Sequence, residues 1–178
     1  KQKTAYEISL GLVGSEMCIR DRMEFPRDSC AIYGELRTEN LGIERIMANV
    51  VANAYIRYIV VCGEESRGHN AGQSLIAVWR NGVDEDGRII GSKGAIPFVE
   101  NVPKEVVERF RRQVVDIVDM IGVTDEHAVL DAVSRLEPLE PFEEGCMLVE
   151  MGEESGARAR EPLVSLAGLP VDHLSMGV

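Results

Sequence analysis

The sequence has no cysteine pair. Its four cysteines, Cys18, Cys30, Cys62 and Cys146, stand far apart without a CxxC couple. That spacing excludes a zinc knuckle and gives no basis for a disulfide framework, so a reducing cytoplasm is the expected compartment. Long hydrophobic runs are also lacking: stretches such as "YIVVC" and "PLVSLAGLP" fall far short of the ~20 residues needed to cross a bilayer. Positive charge is scarce, with 19 Lys and Arg against 30 Asp and Glu and a formal net charge of -11. Phosphate neutralisation needs a basic face, so a nucleic-acid partner is not expected. The one basic knot, "RFRRQ" at 109–113, is flanked by acids and reads as a solvated helix face. Histidine is rarer still: of three, His127 and His173 have no partner at metal-ligand spacing.

What is present is an ordinary globular balance, 45% hydrophobic and 28% charged over 178 residues, enough for one domain with a real core. Residues 1–22 stand apart. "EMCIRDR" at 16–22 resembles the translation of a sequencing-transposon adaptor, and without a long apolar stretch the segment is no signal peptide. It reads as non-native or disordered. The domain proper is expected over 23–151, with a tail at 152–178 where the pattern fades.

From Thr38, the residues Ile43, Ile46, Met47, Val50, Val51 and Ala54 recur at helical spacing, with Thr38 or Asn40 available as N-cap. The β-branched and aromatic run "YIRYIVVC" at 55–62 predicts a strand covered on both faces and ended by Gly63. A helix is expected from Gln73 to Arg80, stopped by Asn81-Gly82, followed by short extended pieces at "RIIG" and "GAIPF". The longest helix is predicted from Pro103 to Gly122, with Val106, Val107, Phe110, Val114, Ile117, Val118 and Ile121 as its buried stripe. A further helix over Asp125–Leu136 and a late strand, "CMLVEM" at 146–151, complete the reading. This alternation predicts an α/β sheet with parallel pairs, in which loops leaving the carboxyl ends of strands form the binding crevice.

One such loop carries "CGEESRGHNAGQ", with His69 between Gly68 and Gly72. Its glycines and the following helix could cradle an anion, yet the spacing matches neither dinucleotide nor P-loop signatures, and Glu64 and Glu65 would repel a phosphate. A Cys62–His69 nucleophilic pair is conceivable, although a cysteine ending a buried strand is more often an inert small hydrophobe. A plain surface histidine is another reading. A further one is that imidazole serves as axial ligand to a metal whose macrocycle supplies the remaining ligands. His69-Asn70-Ala71-Gly72 is the His-x-x-Gly core of the motif by which corrinoid proteins offer cobalt a lower histidine ligand.

The blocks "TENLGIE", "CGEE..GH..GQS", "NGVD..GRI.G" and "GAIPF.EN", in order between Thr38 and Gly122, closely resemble the A subunit of tetrahydromethanopterin S-methyltransferase, its corrinoid-binding subunit. The resemblance implies a Rossmann-like α/β sheet with flanking helices that holds a cobamide of the 5-hydroxybenzimidazolyl type. It implies His69 as cobalt ligand and catalytic residue, with Gly63, Glu64, Glu65, Gly68, Gly72, Gln73, Thr38 and Asn40 as cofactor-binding candidates. Cobalt would cycle between Co(I) and methyl-Co(III), carrying a methyl group from methyl-tetrahydromethanopterin to coenzyme M while His69 binds and releases. The implied partners are the other methyltransferase subunits, including one that handles methyl-tetrahydromethanopterin, in a sodium-translocating membrane complex. A stand-alone corrinoid shuttle with another donor, or a binding module without cobalt, are the competing readings.

Three features of the family pattern are not matched. The sequence "GARAREPLVSLAGLPVDHLSMGV" does not supply the C-terminal membrane anchor, and the family's first strand is not found ahead of "AIYGELRTENLG". The wider motif Asp-x-His-x-x-Gly has an acid where Arg67 stands. A metal-bound histidine needs an acceptor on its other nitrogen, so Glu64, Glu65 or a backbone carbonyl is expected to serve.

Overall fold

The computed structural model describes residues 32–151 apart from Ser66; the segment 1–22 and the tail 152–178 lie outside the described residues. The first element, α1 (Leu41–Val51), starts where both expected caps act. The Asn40 side chain accepts from the Leu41 amide at 2.7 Å, and Thr38 Oγ1 accepts from the Gly42 amide at 3.0 Å. These bonds satisfy two of the amides that a helix start leaves without partners. The helix buries Ile43, Met47, Val50 and Val51.

Strand β1 (Tyr58–Gly63) is buried along its whole length. It is followed by α2 (Ala71–Asn81), by an excursion with two antiparallel bridges, Val83–Ile89 and Arg88–Phe98, and by α3 (Lys104–Gln113). Strand β2 (Asp116–Ile121) then pairs in parallel with β1, from Tyr58 opposite Asp116 to Gly63 opposite Ile121, and α4 (Glu126–Ser134) closes the order. Parallel pairing was the expected topology. Among the described residues the sheet has these two strands and none precedes β1, so the architecture is a small parallel sheet flanked by helices.

Alternation along β1 builds a core on each face. Ile59 and Val61 join Ile117 and the buried faces of α1, α2 and α3, with Met47, Leu75 and Phe110 among the contacts. Val60 and Cys62 face the other way, against Val129 and Val133 of α4. Cys62 is fully buried there.

Two expected elements are corrected. The helix predicted over 103–122 ends at Gln113, and its second half is β2. The run Val114-Val115 followed by Ile117-Val118 is β-branched, which lowers helix propensity and favours a pleated strand. Its apolar spacing fits both structures, and a bare β1 edge decides for the strand. Segment 146–151 is not a strand: Met147, Val149 and Met151 pack against the core, and the Met147 amide donates to the Val51 carbonyl at 2.8 Å, without forming a ladder.

Candidate functional site

Strand β1 ends in Gly63, and Gly122 follows β2 at the same end of the sheet. Gly63 and Gly122 have φ of 85° and 86°, and the Gly122 amide donates to the Gly63 carbonyl at 2.7 Å. The chain therefore leaves β1 sharply at its carboxyl end, into the loop that carries His69. Gly68 takes φ 81° and Asn70 takes the left-handed region with φ 45°, a conformation that Asn tolerates better than most residues. The Asn70 carbonyl then starts α2 by accepting from the Ser74 amide at 2.9 Å and the Ser74 hydroxyl at 2.8 Å.

The two glutamates of the loop do different things. Glu64 is exposed. Glu65 turns back to the start of α2, where its carboxylate accepts from the Gly72 amide at 3.1 Å and the Gln73 amide at 2.6 Å. The helix dipole favours a negative charge there, and the chain supplies its own. The amides that could have cradled a phosphate are thus occupied.

His69 is half exposed, with 51% of its side chain accessible, yet one side of the ring is held from the interior. Its Nδ1 lies 2.7 Å from Oε2 of Glu39, a side chain that is 1% exposed and 30 residues upstream. The other carboxylate oxygen of Glu39 accepts from the Ile96 amide at 2.8 Å. Burial pushes this carboxyl up, but the hydrogen bonds from the Ile96 amide and from its own amide, with the His69 contact, outweigh that and hold it below the ordinary glutamate range. The expectation that Glu64, Glu65 or a backbone carbonyl partners His69 is corrected: the partner is Glu39.

A second loop, 91–96, is fastened across the first. The Gln73 side chain donates to the Gly91 carbonyl at 3.0 Å and accepts from the Lys93 amide at 2.8 Å, and Asn70 Nδ2 donates to the Lys93 carbonyl at 3.1 Å. The hydroxyls of Ser74 and Ser92 are 2.6 Å apart, and Ser92 Oγ accepts from the Gly94 amide at 3.0 Å. Gly94 presses directly on the pair: a Cβ there would lie 2.5 Å from the His69 carbonyl oxygen and 2.6 Å from Glu39 Cγ.

The structure thus gathers His69, Gly68, Gly72 and Gln73 beside the end of β1. Thr38 and Asn40 act as caps of α1 on either side of Glu39, and Glu64 stands away from the pair. Cys62 lies in the core under α4, away from any pairing with His69. Sequence reasoning missed Glu39, the Ile96 amide and Gly94. All three sit inside the blocks "TENLGIE" and "GAIPF.EN", but nothing local says that they meet. Among the described residues no group of three or more His, Cys, Asp or Glu could hold a metal ion. A single anchored imidazole, with no hydrogen bond at Nε2 among the described residues, instead fits a metal whose macrocycle brings the remaining ligands.

Comparison with known proteins gives the family. A family profile for the A subunit of tetrahydromethanopterin S-methyltransferase matches residues 11–159. The A subunit of that enzyme from Methanocaldococcus jannaschii is 41% identical over 160 residues, covering 88% of this chain and 64% of the relative. The one from Methanopyrus kandleri is 46% identical over 147 residues, 81% of this chain and 57% of the relative. The A subunit of a methyltransferase provisionally named Mtx, from Methanosarcina acetivorans, is 55% identical over 101 residues, 57% of this chain and 51% of the relative. The chain spans between half and two thirds of the length of these curated relatives. With the profile covering most of its length and a relative 41% identical over 88% of it, the chain belongs to the family of tetrahydromethanopterin S-methyltransferase A subunits.

Proposed function

We propose that this chain is the corrinoid-presenting subunit of a methyltransferase, with His69 Nε2 as the axial ligand offered to the cobalt of a cobamide. The observation that carries the reading is the anchored, half-exposed imidazole at the carboxyl end of β1: its Nδ1 is occupied by a buried carboxylate and its other face is open. A bound cobamide supplies the metal that accepts and donates the methyl group, between methyl-tetrahydromethanopterin and coenzyme M. The chain's own residues supply the ligand and its setting. Gly68 and Asn70 give the loop its sharp path, Glu65 caps α2 beneath it, and Gln73 pins the neighbouring loop.

The test is spectroscopic. Reconstituted with Co(III) cobamide, the chain should show the visible spectrum of a nitrogen-ligated corrinoid, and His69→Ala should convert it to the water-ligated form. An unchanged spectrum in the variant would remove His69 from the metal.

In this reading the methyl donor is handled by a partner. A pterin needs its own pocket and an acid to activate the leaving nitrogen, and Glu65, the nearest loop acid, is committed to α2. The partners are the other subunits of the methyltransferase, including one that binds methyl-tetrahydromethanopterin. No helix among the described residues is long and apolar enough to cross a membrane, and we place the chain on the cytoplasmic side, peripheral to a membrane complex. The reduced, cobamide-loaded chain should be methylated by free methyl-tetrahydromethanopterin much more slowly than after addition of that subunit; equal rates would make it a self-sufficient enzyme.

The similarity to a chain named for a different methyltransferase, Mtx, favours a second reading, a corrinoid shuttle serving another methyl donor. Methylation by a different donor and subunit, with none from methyl-tetrahydromethanopterin, would select it.

A further inference from the structure

Segment 94–101 returns from loop 91–96 along the first turn of α1 toward the start of α3, and one side chain of α1 gathers its far end. Glu44 has no exposed surface. One of its carboxylate oxygens accepts from the Glu100 amide and from the Asn101 amide at 2.7 Å, and the other accepts from Asn101 Nδ2 at 2.8 Å. We infer that Glu44 is a positioning residue for the cofactor site: it fixes the far end of segment 94–101 and so holds Lys93, Ala95 and Ile96 as a rigid wall beside His69. This rests on the corrinoid reading above, but it concerns a residue whose hydrogen bonds do not touch His69 or its loop.

The inference follows from what holds the wall. Lys93, Ala95 and Ile96 are exposed, Ile96 to 61%, so burial of their own side chains does not fix them. Their backbone must be held from both ends. The near end is tied to α2 and the turn before it through the Gln73, Asn70 and Ser74 contacts. Beyond the wall the Pro97 carbonyl accepts from the Ile89 amide and the Val99 amide donates to the Gly87 carbonyl, each at 2.8 Å. The three donors that residues 100 and 101 then offer all go to Glu44. Its neighbours on the buried side of α1, Ile43, Met47, Val50 and Val51, are apolar, so packing alone would favour an apolar residue at 44. Two backbone amides converging on one buried point instead require an acceptor with free lone pairs, and without it each carries its desolvation penalty.

Two substitutions separate these hydrogen bonds from side-chain volume. Glu44→Gln keeps one oxygen for both backbone amides, and the Asn101 carboxamide turns its own oxygen toward the new NH₂, so the clip survives. Glu44→Leu keeps the volume and removes every acceptor. Asn101→Ala is milder: it deletes one arm and leaves both amides bound.

The experiment is amide hydrogen exchange on the cobamide-free full chain, followed by titration with Co(III) cobamide read in the visible spectrum. In Glu44→Leu, exchange is expected to rise across residues 94–101 while β1 keeps its wild-type protection. Cobamide affinity should fall about 10-fold, because binding must then reorder backbone that the wild type holds ready, and the spectrum at saturation should match that of the wild type. Glu44→Gln should match the wild type in all three readouts. Asn101→Ala should shift exchange and affinity the same way as Glu44→Leu but by less, which decides the matter where the leucine variant does not fold. Wild-type affinity or unchanged exchange in Glu44→Leu and Asn101→Ala overturns the inference. So does exchange that rises equally in β1, which would make Glu44 a support of the whole fold, or a loss in Glu44→Gln equal to that in Glu44→Leu. The ligand reading is scored separately. A wild type that binds cobamide without nitrogen ligation removes His69 from the metal, while the affinity ratio still decides Glu44; a wild type that binds no cobamide ends both.

Discussion

Gly94 is a position where a small substitution should have a large consequence. A methyl group there would sit 2.5 Å from the His69 carbonyl oxygen and 2.9 Å from Glu39 Cβ. Neither atom is the free end of a flexible chain. Gly94→Ala must therefore push the two loops apart, and we expect it to cost about 1–3 kcal/mol, the usual range for overpacking, measured by urea unfolding. Glu39 makes a second prediction. Its carboxyl is held below the ordinary range in the folded chain, so it binds its proton less readily when folded than when unfolded. Its stabilisation is fully present above the unfolded carboxyl pKa and is lost as pH falls through the lower, folded value. The stability difference between the cobamide-free wild type and Glu39→Gln should shrink across that acid range. A difference that stays constant with pH would mean that the carboxyl is not ionised in the fold.

At the scale of elements, the join between α3 and β2 shows how far local pattern reaches. Apolar residues continue at helical intervals from Val106 to Ile121, so spacing alone extends the helix to Gly122. The chain instead stops at Gln113 because that side chain is drawn out of the helix pattern into a long-range role. Its Nε2 donates to the carbonyls of Val50 at 2.7 Å, Asn53 at 2.8 Å and Ile56 at 3.1 Å, the turn that ends α1 and leads to β1. One buried amide thus aligns the end of α3 with the start of β1, and β2 begins in register beside it. Gln113→Leu keeps the volume but removes this shared donor: the Val50 and Asn53 carbonyls keep the amides of Asn53 and Ile56, at 3.1 and 3.0 Å, while the Ile56 carbonyl loses the Gln113 bond. It should cost about 1–3 kcal/mol by thermal or denaturant unfolding, from the lost bonds and the desolvation penalty of the buried carbonyl. A loss below about 0.5 kcal/mol would show that water replaces the amide there.

For the molecule as a whole, the stretch after α4 acts as a strap across the core. Arg109, 3% exposed on α3, bonds Glu144 at 3.0 Å and the Gly145 carbonyl, and its guanidinium lies 4.0 Å from the centre of the Phe142 ring. Arg57, just before β1, reaches the Glu140 carbonyl at 2.6 Å and the same ring at 5.4 Å. Arg109→Ala should release residues 140–151 together, for about 2–3 kcal/mol. Hydrogen exchange should rise at Phe142, Gly145 and Met147 while β1 stays protected. Uniform exchange across the molecule would mean instead that the strap is part of the global folding unit.

How much of this was legible in the sequence depends on how far apart the interacting groups lie. Helix starts were legible because a cap is local: Thr38 and Asn40 bond amides within four residues. The buried strand at β1, its glycine stop and the His69 loop were legible for the same reason, since β-branched runs and positive-φ glycines act on their own backbone. The family blocks added the identity of the loop, and alternation of helix and strand gave the parallel pairing. Segment 114–121 was not legible, because its residues satisfy both periods and only the β1 edge, 58 positions away in register, chooses between them. Nor was the partner of His69. A charge buried at Glu39 is stable only when donors from residues 69 and 96 converge on it, and that convergence exists only after the chain has folded.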